Sequence, residues 1–188
     1  NPNARRGGVR RLMQGVVGID PGAKGAIALL DADIRDASGV PELMAVEQIP
    51  TSIMMIGGRK SPVVDGLKLA QLLWNWEREH RLTITKGAVE RVAAMPNDHA
   101  PQAFAFGRSL GAVSAVVQAQ GIPVKFVPVS VWRQTVGVPK IQDDTGERRK
   151  LIKAVCRKRA QELWPHQAGR FKRVKDTDAA EAAMIVLS

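Results

Sequence analysis

The sequence is poor in cysteine and in long apolar runs, and each shortage excludes a class of protein. Cys156 is the single cysteine in 188 residues, which excludes an internal disulfide framework and a zinc site built from several cysteines. No run approaches the roughly eighteen apolar residues that a membrane span needs, so no membrane partner is expected. The basic segment 1–11 lacks the continuous apolar core of a secretory signal, and a reducing cytosol is the compartment that fits.

Acidic residues are also scarce relative to basic ones. The chain has 28 Lys and Arg against 18 Asp and Glu, a formal net charge of +10. Such a surface attracts polyanions, and nucleic acid is favoured over an anionic membrane because no amphipathic basic helix dominates the chain. The excess is concentrated between residues 140 and 175, with twelve Lys or Arg against four Asp or Glu. This density favours a phosphate-facing surface over a merely solvated helix face.

The length and the hydrophobic share of 45% predict one folded domain with a sizeable core. We expect residues 1–14 to form a flexible basic arm and residues 15–188 to form that domain. Apolar patterns predict strands at 42–49, 82–92 and 124–127, and helices at 102–120 and 147–163.

Several local features refine this outline. Asp65 is the expected N-cap of a helix through Arg78 that places Trp74 and Trp76 in the core. Ser130 is the expected N-cap of a one-turn helix through Val136. Residues 32–41 are expected to form a polar loop. Residues 51–62, which include two consecutive glycines, are expected to be flexible.

The stretch 16–31 holds the first unusual carboxylate. Two apolar runs flank a Pro-Gly turn and predict a β-hairpin whose first strand is buried on both faces. Asp20 closes that strand, where an unpaired carboxylate costs roughly several kcal/mol of desolvation. The glycines behind Asp20 leave room for a metal ion or a phosphate close to the backbone.

Three further carboxylates lie in apolar segments. Glu90 interrupts the strand predicted at 82–92, although a salt bridge with Arg91 would explain it about equally well if it stood alone. Asp178 and Glu181 belong to an Ala-rich apolar helix predicted at 176–187 and, being three residues apart, share one face of it. Helix capping explains one acidic residue there, whereas a second on the same face of a buried helix favours a bound cation.

These side chains form the predicted functional site: Asp20, Glu90, Asp178 and Glu181. Oxygen ligands from separate segments, without His or Cys nearby, are what Mg²⁺ or Mn²⁺ prefers. Two such ions about 4 Å apart can hold the attacking and leaving oxygens of a phosphodiester. In a basic protein the acids would hold the metal and the bases the substrate, which predicts phosphoryl chemistry on nucleic acid.

Five short motifs stand in a fixed order along the chain. They are Gly-Ile-Asp-Pro-Gly at 18–22, Val-Glu-Arg-Val at 89–92, Phe-Gly-Arg-Ser-Leu-Gly at 106–111, Val-Trp-Arg-Gln-Thr-Val-Gly at 131–137 and Asp-Ala-Ala-Glu-Ala at 178–182. In this order, and over about residues 15–187, the chain resembles the RuvC-type Holliday junction resolvases of the RNase H-like superfamily, in particular their phage branch.

The resemblance implies an α/β, RNase H-like fold, a five-stranded mixed sheet flanked by helices. It implies a homodimer that nicks four-way (Holliday) or branched DNA junctions by paired phosphodiester hydrolysis, leaving 5′-phosphate and 3′-hydroxyl ends. The small residues of the helix at 102–120 suit either central packing or the dimer contact. A bacterial cytosol or nucleoid is the implied location, with a phage or organellar origin left open.

The resemblance also implies roles for individual residues. Asp20, Glu90, Asp178 and Glu181 would bind two Mg²⁺ ions, or Mn²⁺, with Asp20 bridging them. The residues expected to contact DNA are Lys24, Arg133, Arg148, Arg149, Lys150 and Lys153.

Two departures from the family pattern leave questions open. Cellular members place an aromatic wedge where this chain has Ala93, so Phe104 or Phe106 would have to replace it. Phage relatives often carry an Asp one or two residues before the position of Asp178, which makes Asp176 a rival ligand.

Three other functions compete with this interpretation. Another RNase H-like nuclease would act on flaps or RNA–DNA hybrids, and a non-catalytic junction-binding protein would share the basic surface but would not need buried acids. The sugar-kinase and actin class has a similar first hairpin, but it needs a second lobe that 188 residues cannot hold.

Overall fold

The structure is a computed structural model that describes residues 13–91, 99–139 and 146–188, without the side chain of Arg149. Its strands are β1 (Met13–Ile19), β2 (Ala26–Arg35), β3 (Pro41–Gln48), β4 (Thr51–Ile56), β5 (Arg59–Val64), β6 (Leu82–Arg91) and β7 (Val124–Pro128). Its α-helices are α1 (Gly66–His80), α2 (Ala100–Ala119), α3 (Val129–Thr135), α4 (Gly146–Leu163) and α5 (Thr177–Ile185), and 3₁₀ turns lie at Pro165–Phe171 and Val174–Asp176. Within these ranges no helix has the length and apolarity to cross a membrane.

Five strands form one mixed sheet in the order β3-β2-β1-β6-β7. β1 pairs antiparallel with β2, and β2 with β3, whereas β1 with β6 and β6 with β7 are parallel pairs. β1 lies at the centre, and Val17 and Ile19 are fully buried, as the apolar run predicts. The predicted five-stranded mixed sheet flanked by helices is therefore confirmed.

Helices cover both faces of this sheet because neighbouring side chains along a strand point to opposite sides. Along β2, Ile27 and Leu29 pack in a core with residues of α1 and α2. Ala26, Ala28 and Leu30 pack in a second core with residues of α3, α4 and α5. The sheet is thus the middle layer of three.

Helix α5 lies very close to β1 because residue 18 is glycine. A Cβ atom at Gly18 would lie 2.1 Å from the carbonyl oxygen of Ala182 and 2.4 Å from Cγ2 of Val186. Both distances are shorter than any real contact of that kind, so a side chain at residue 18 would push the helix away. The close approach brings Asp178 and Glu181 to the end of β1.

Three predictions of local structure are wrong. Residues 51–62, predicted to be flexible, belong to an antiparallel hairpin of β4 and β5. β2 continues to Arg35, so the predicted loop at 32–41 is shorter. Trp74 is 54% exposed, whereas Trp76 is buried as predicted. The guanidinium of Arg78 lies 4.5 Å from the centre of the Trp74 ring, a cation–π contact that suits an exposed indole.

The two predicted helix starts have different outcomes. Asp65 caps α1 as predicted, because its side chain accepts a hydrogen bond from the backbone N–H of Lys68 at 3.1 Å. The N-cap of α3 is Pro128 rather than Ser130. Pro128 has no N–H to continue the β7 ladder, and the helix begins at the next residue. Residues 1–12 of the predicted arm lie outside the described residues, and so does Ala93.

Candidate metal centre

The parallel pairing of β1 and β6 places two of the predicted acids side by side. Ile19 lies opposite Val89 in this pair, so Asp20 and Glu90 follow at the adjoining carboxyl ends of the two strands. By the alternation of the strands, Asp20 and Glu90 are on the same face of the sheet as Gly18, which is the face that α5 covers.

Helix α5 supplies the other two acids. Carboxylate oxygens of Asp20, Asp178 and Glu181 all lie within 4.8 Å of one another, and we call these residues the acid cluster. Glu181 is only 8% exposed. Glu90 is not a member of this cluster; its Oε2 accepts a hydrogen bond from the indole N–H of Trp132 at 2.9 Å.

The electrostatics of the centre are those of anions held together without enough positive charge. Burial, then the neighbouring Glu90 and Asp178 charges, raise the pKa of Asp20 to about 7. Burial and the charge of Asp20 raise the pKa of Glu181 to about 7. Burial and the charge of Glu181 raise the pKa of Glu90 to about 7, against the hydrogen bond from Trp132. Glu90 is therefore close enough to the acid cluster for their negative charges to repel one another.

Two basic side chains lie at the acid cluster. The guanidinium of Arg133, in α3, is 3.6 Å from Oε1 of Glu181. The ammonium of Lys153, in α4, is 4.0 Å from Oδ1 of Asp178. Burial raises the pKa of Asp178, and the positive charges of Lys153 and Lys24 act in the opposite direction. Arg133 and Lys153 therefore lie at the acid cluster, and Lys24 is near enough to act on Asp178. For all three residues the DNA contact stays a prediction.

The other predicted DNA contacts lie along α4. Lys150 is exposed one helical turn before Lys153, and Arg148 is half-buried. The side chain of Arg149 is outside the described part of the chain. For these three residues a DNA contact stays a prediction.

Asp176, the rival ligand, is engaged elsewhere. The backbone N–H of Arg173 donates to Oδ2 of Asp176 at 2.7 Å, and the guanidinium of Arg173 donates to Oδ1 at 3.0 Å. Burial alone would raise the pKa of Asp176, but the hydrogen bonds from Arg173 outweigh it and the pKa is lowered. Asp176 thus fixes the turn before α5 and is not a member of the acid cluster.

The donor set fits a divalent metal ion. Three carboxylates supply hard oxygen ligands of the kind that Mg²⁺ and Mn²⁺ prefer, and the oxygens are already close together. Burial first and mutual repulsion second raise the pKa values of Asp20 and Glu181, and the charge of a bound divalent cation would offset both effects.

One residue of the centre has no role in the sequence argument. Trp132 is fully buried and holds the Glu90 carboxylate through its indole N–H. The motif at 131–137 marked this segment, but a hydrogen bond across 42 residues of chain depends on where β6 and α3 meet in the fold.

Comparison with solved structures identifies the fold. Thermus thermophilus RuvC in complex with Holliday junction substrate matches with a TM-score of 0.55 and 19% sequence identity, over 92% of this chain and 90% of that chain. Another structure of Thermus thermophilus RuvC matches with a TM-score of 0.49 and 20% identity, over 91% and 92% of the two chains. No family model matches the chain, and no curated protein matches it. The first likeness confirms the predicted RuvC-type, RNase H-like fold, while the phage branch stays a prediction.

Proposed function

We propose that this chain is a divalent-metal-dependent, structure-selective endonuclease that cleaves four-way or otherwise branched DNA junctions. The observation that carries the proposal is the acid cluster, in which residues 20, 178 and 181 come together at one edge of the sheet. A protein that only bound DNA would gain nothing from burying repelling carboxylates, which costs stability. The branched substrate is supported by the likeness to a RuvC structure that holds a Holliday junction.

The acids of the centre are the residues that would hold the metal. Asp20, Asp178 and Glu181 offer adjacent oxygens, and Glu90 stands beside them, so we propose two ions per site, Mg²⁺ or Mn²⁺. When bound, such ions polarise a scissile phosphate and acidify an attacking water. Trp132 keeps the Glu90 carboxylate in a fixed orientation by donating to Oε2 at 2.9 Å.

The cations next to the acids would hold the substrate. Arg133 and Lys153 each pair with one acid at 3.6 and 4.0 Å, so a phosphate brought to the acid cluster lies within reach of both. Hydrogen bonds from cationic groups to the phosphate oxygens would offset the negative charge that develops during hydrolysis. Lys24, in the turn after Asp20, would add to this positive field.

We further propose that two copies associate through α2, so that two centres act on one junction. Phe104 and Phe106 are 70% and 41% exposed on this helix. A Cβ atom at Gly107 or Gly111 would meet nothing within 4 Å, so a second helix can approach this surface closely. These features support a dimer contact on the exposed face of α2, whose opposite face packs in the core through Val113 and Val117.

Cleavage of a synthetic four-way junction tests the nuclease. We expect nicking with Mg²⁺ and none with a chelator. Asp20→Asn should bind the junction as tightly as the wild type but cleave it at least about a thousandfold more slowly, because several kcal/mol (roughly) of transition-state stabilisation depend on the metal site. Glu79→Gln, which neutralises an exposed acid on α1, is the matched control and should cleave normally.

The outcomes separate the competing functions. Full cleavage by Asp20→Asn would contradict the proposed site. Junction binding by the wild type without metal-dependent cleavage would favour a non-catalytic DNA-binding protein. Faster cleavage of flaps or RNA–DNA hybrids than of junctions, at one salt concentration, would favour a different RNase H-like nuclease.

A further inference from the structure

The β4–β5 hairpin, which we call the ribbon, exposes several large apolar side chains to solvent. Ile53, Met54, Met55 and Ile56 are 65%, 53%, 64% and 37% exposed. Because successive strand residues point to opposite sides, both faces of the ribbon carry these side chains. A two-stranded hairpin is marginally stable alone, and an exposed apolar patch of this kind marks an interaction surface.

The ribbon is firmly attached at its base, next to the acid cluster. Just before β4, the backbone N–H of Ile49 donates to the carbonyl of Gly25 at 2.9 Å, and Gly25 lies in the turn that follows Asp20. After β5, the backbone N–H of Asp65 donates to the carbonyl of Pro50 at 2.8 Å. Ile49 is 3% exposed. The ribbon therefore leaves the sheet at the same edge as the acids.

The tip of the ribbon is a tight turn that carries positive charge. Gly57 and Gly58 have φ values of 56° and 76°, the left-handed backbone that a two-residue hairpin turn requires. Arg59 and Lys60 follow directly and are exposed. Residues 51–64 contain no acidic side chain.

We propose that the ribbon is a second DNA-binding element, with Arg59 and Lys60 on backbone phosphates and the apolar residues 53–56 against bases unstacked at the branch point. This inference rests on the proposed function, which supplies the branched DNA. The positive tip complements phosphate, and proteins that open or bend DNA insert apolar side chains between base steps. Pairing of two ribbons from two copies is disfavoured because it would bring like charges together.

Junction binding in the presence of a chelator tests the ribbon without interference from cleavage. The variants are Arg59→Glu with Lys60→Glu, and Ile53→Ser with Met55→Ser. Arg35→Glu is the matched control, since Arg35 is exposed at the opposite end of the sheet. Affinity is measured over a range of salt concentrations, with 2-aminopurine at the branch point to report unstacking.

We expect the charge-reversal pair to weaken junction binding about tenfold or more and to lower the log–log salt slope by about two, roughly one for each phosphate that is no longer neutralised. The serine pair should reduce the 2-aminopurine fluorescence increase, while Arg35→Glu changes neither readout. Arg59→Gln with Lys60→Gln replaces the reversal pair if that variant fails to fold, and should lower the slope by the same amount.

Unchanged affinity, salt slope and fluorescence in the ribbon variants would overturn the proposal. A changed oligomeric state in sedimentation, with DNA affinity unaltered, would also overturn it and would assign the ribbon to a contact between copies. Failure of the nuclease proposal gives a different result, namely no metal-dependent cleavage by the wild type while the ribbon variants still lose DNA affinity.

Discussion

Raising the pH from about 5 to about 8 in the presence of a chelator should destabilise the folded chain, because the acids of the centre ionise against the cost of burial and against mutual repulsion. The pKa values of Asp20, Glu90 and Glu181 are raised to about 7. A group whose pKa is higher in the folded state than in the unfolded chain contributes stability that is complete below the unfolded pKa. That contribution is lost as the pH rises through the folded pKa, here near 7.

The size of the effect follows from Asp20. A rise of its pKa from 3.8 to about 7 corresponds to about 4 kcal/mol once the carboxyl is fully ionised, at about 1.4 kcal/mol for each tenfold change in the ionisation constant. Roughly 2–3 kcal/mol of this falls between about pH 5 and about pH 8, which lowers the melting temperature of a chain of this length by roughly 5–10 °C. Because the acids contribute to one another's pKa shifts, their free-energy contributions are not simply added, and the figure for Asp20 alone gives the order of magnitude.

Thermal unfolding followed by circular dichroism measures this difference. The wild type is melted at both pH values with a chelator and again with Mg²⁺ in excess. We expect Mg²⁺ to raise the melting temperature more at the higher pH, since binding to the folded state alone stabilises it and the carboxylates must be ionised to bind. Asp20→Asn should reduce the pH dependence by about the single-residue amount, leaving the part that comes from the buried Glu90 and Glu181, whereas the exposed-acid control Glu79→Gln should retain all of it.

The reasoning fails if Asp20→Asn and the wild type lose stability in parallel as the pH rises. It also fails if Mg²⁺ leaves the wild-type melting temperature unchanged at the higher pH. The first result would mean that ionisation of Asp20 does not destabilise the fold, and the second that the acid cluster does not bind Mg²⁺.

Two further substitutions test how the centre is positioned. Gly18→Ala should lower the free energy of unfolding by about 1–3 kcal/mol and abolish the stabilisation by Mg²⁺, because the new Cβ meets Ala182. Gly169→Ala, at an open site away from the centre, should do neither. Trp132→Phe should cut cleavage about 10–100-fold with near-normal folding and, because the indole hydrogen bond lowers the pKa of Glu90, move the acid limb of the pH–rate profile upward. A slower enzyme with an unshifted profile would contradict the role given to Trp132.

The acids were predictable because their cost is visible in the sequence. A carboxylate in an apolar strand or on the buried face of a helix is expensive, so Asp20, Glu90 and Glu181 stand out without any knowledge of the fold. Their convergence was not visible. The convergence of the acids depends on the register of β1 against β6 and on the close approach of α5 to Gly18. Both result from contacts between segments that are far apart in the sequence.

The ribbon shows how a local pattern can mislead. Gly57 and Gly58 between two short runs are a good hairpin signal, but the runs lack the alternation of apolar and polar residues that a half-buried strand has. Both faces of the outer part of the ribbon, residues 53–60, are exposed, so neither face there had to be apolar to pack in a core. The alternation of apolar and polar residues, which predicts half-buried strands elsewhere in the chain, therefore had no physical reason to occur in the ribbon.

The topology explains why acids, cations and ribbon meet at one edge. β1 is the strand at which the sheet changes from antiparallel to parallel pairing. The carboxyl ends of β1, β6 and β7 share one edge because the three are parallel, and the antiparallel β2 begins there while β3 ends there. The segments that follow Asp20, Gln48, Glu90 and Pro128 therefore all leave from that edge, where open α/β sheets bind ligands. The parallel strands β6 and β7 supply Glu90 and lead into α3, whose Trp132 donates to Glu90. The antiparallel strand β3 leads into the ribbon, and α5, which covers this face of the sheet, supplies Asp178 and Glu181.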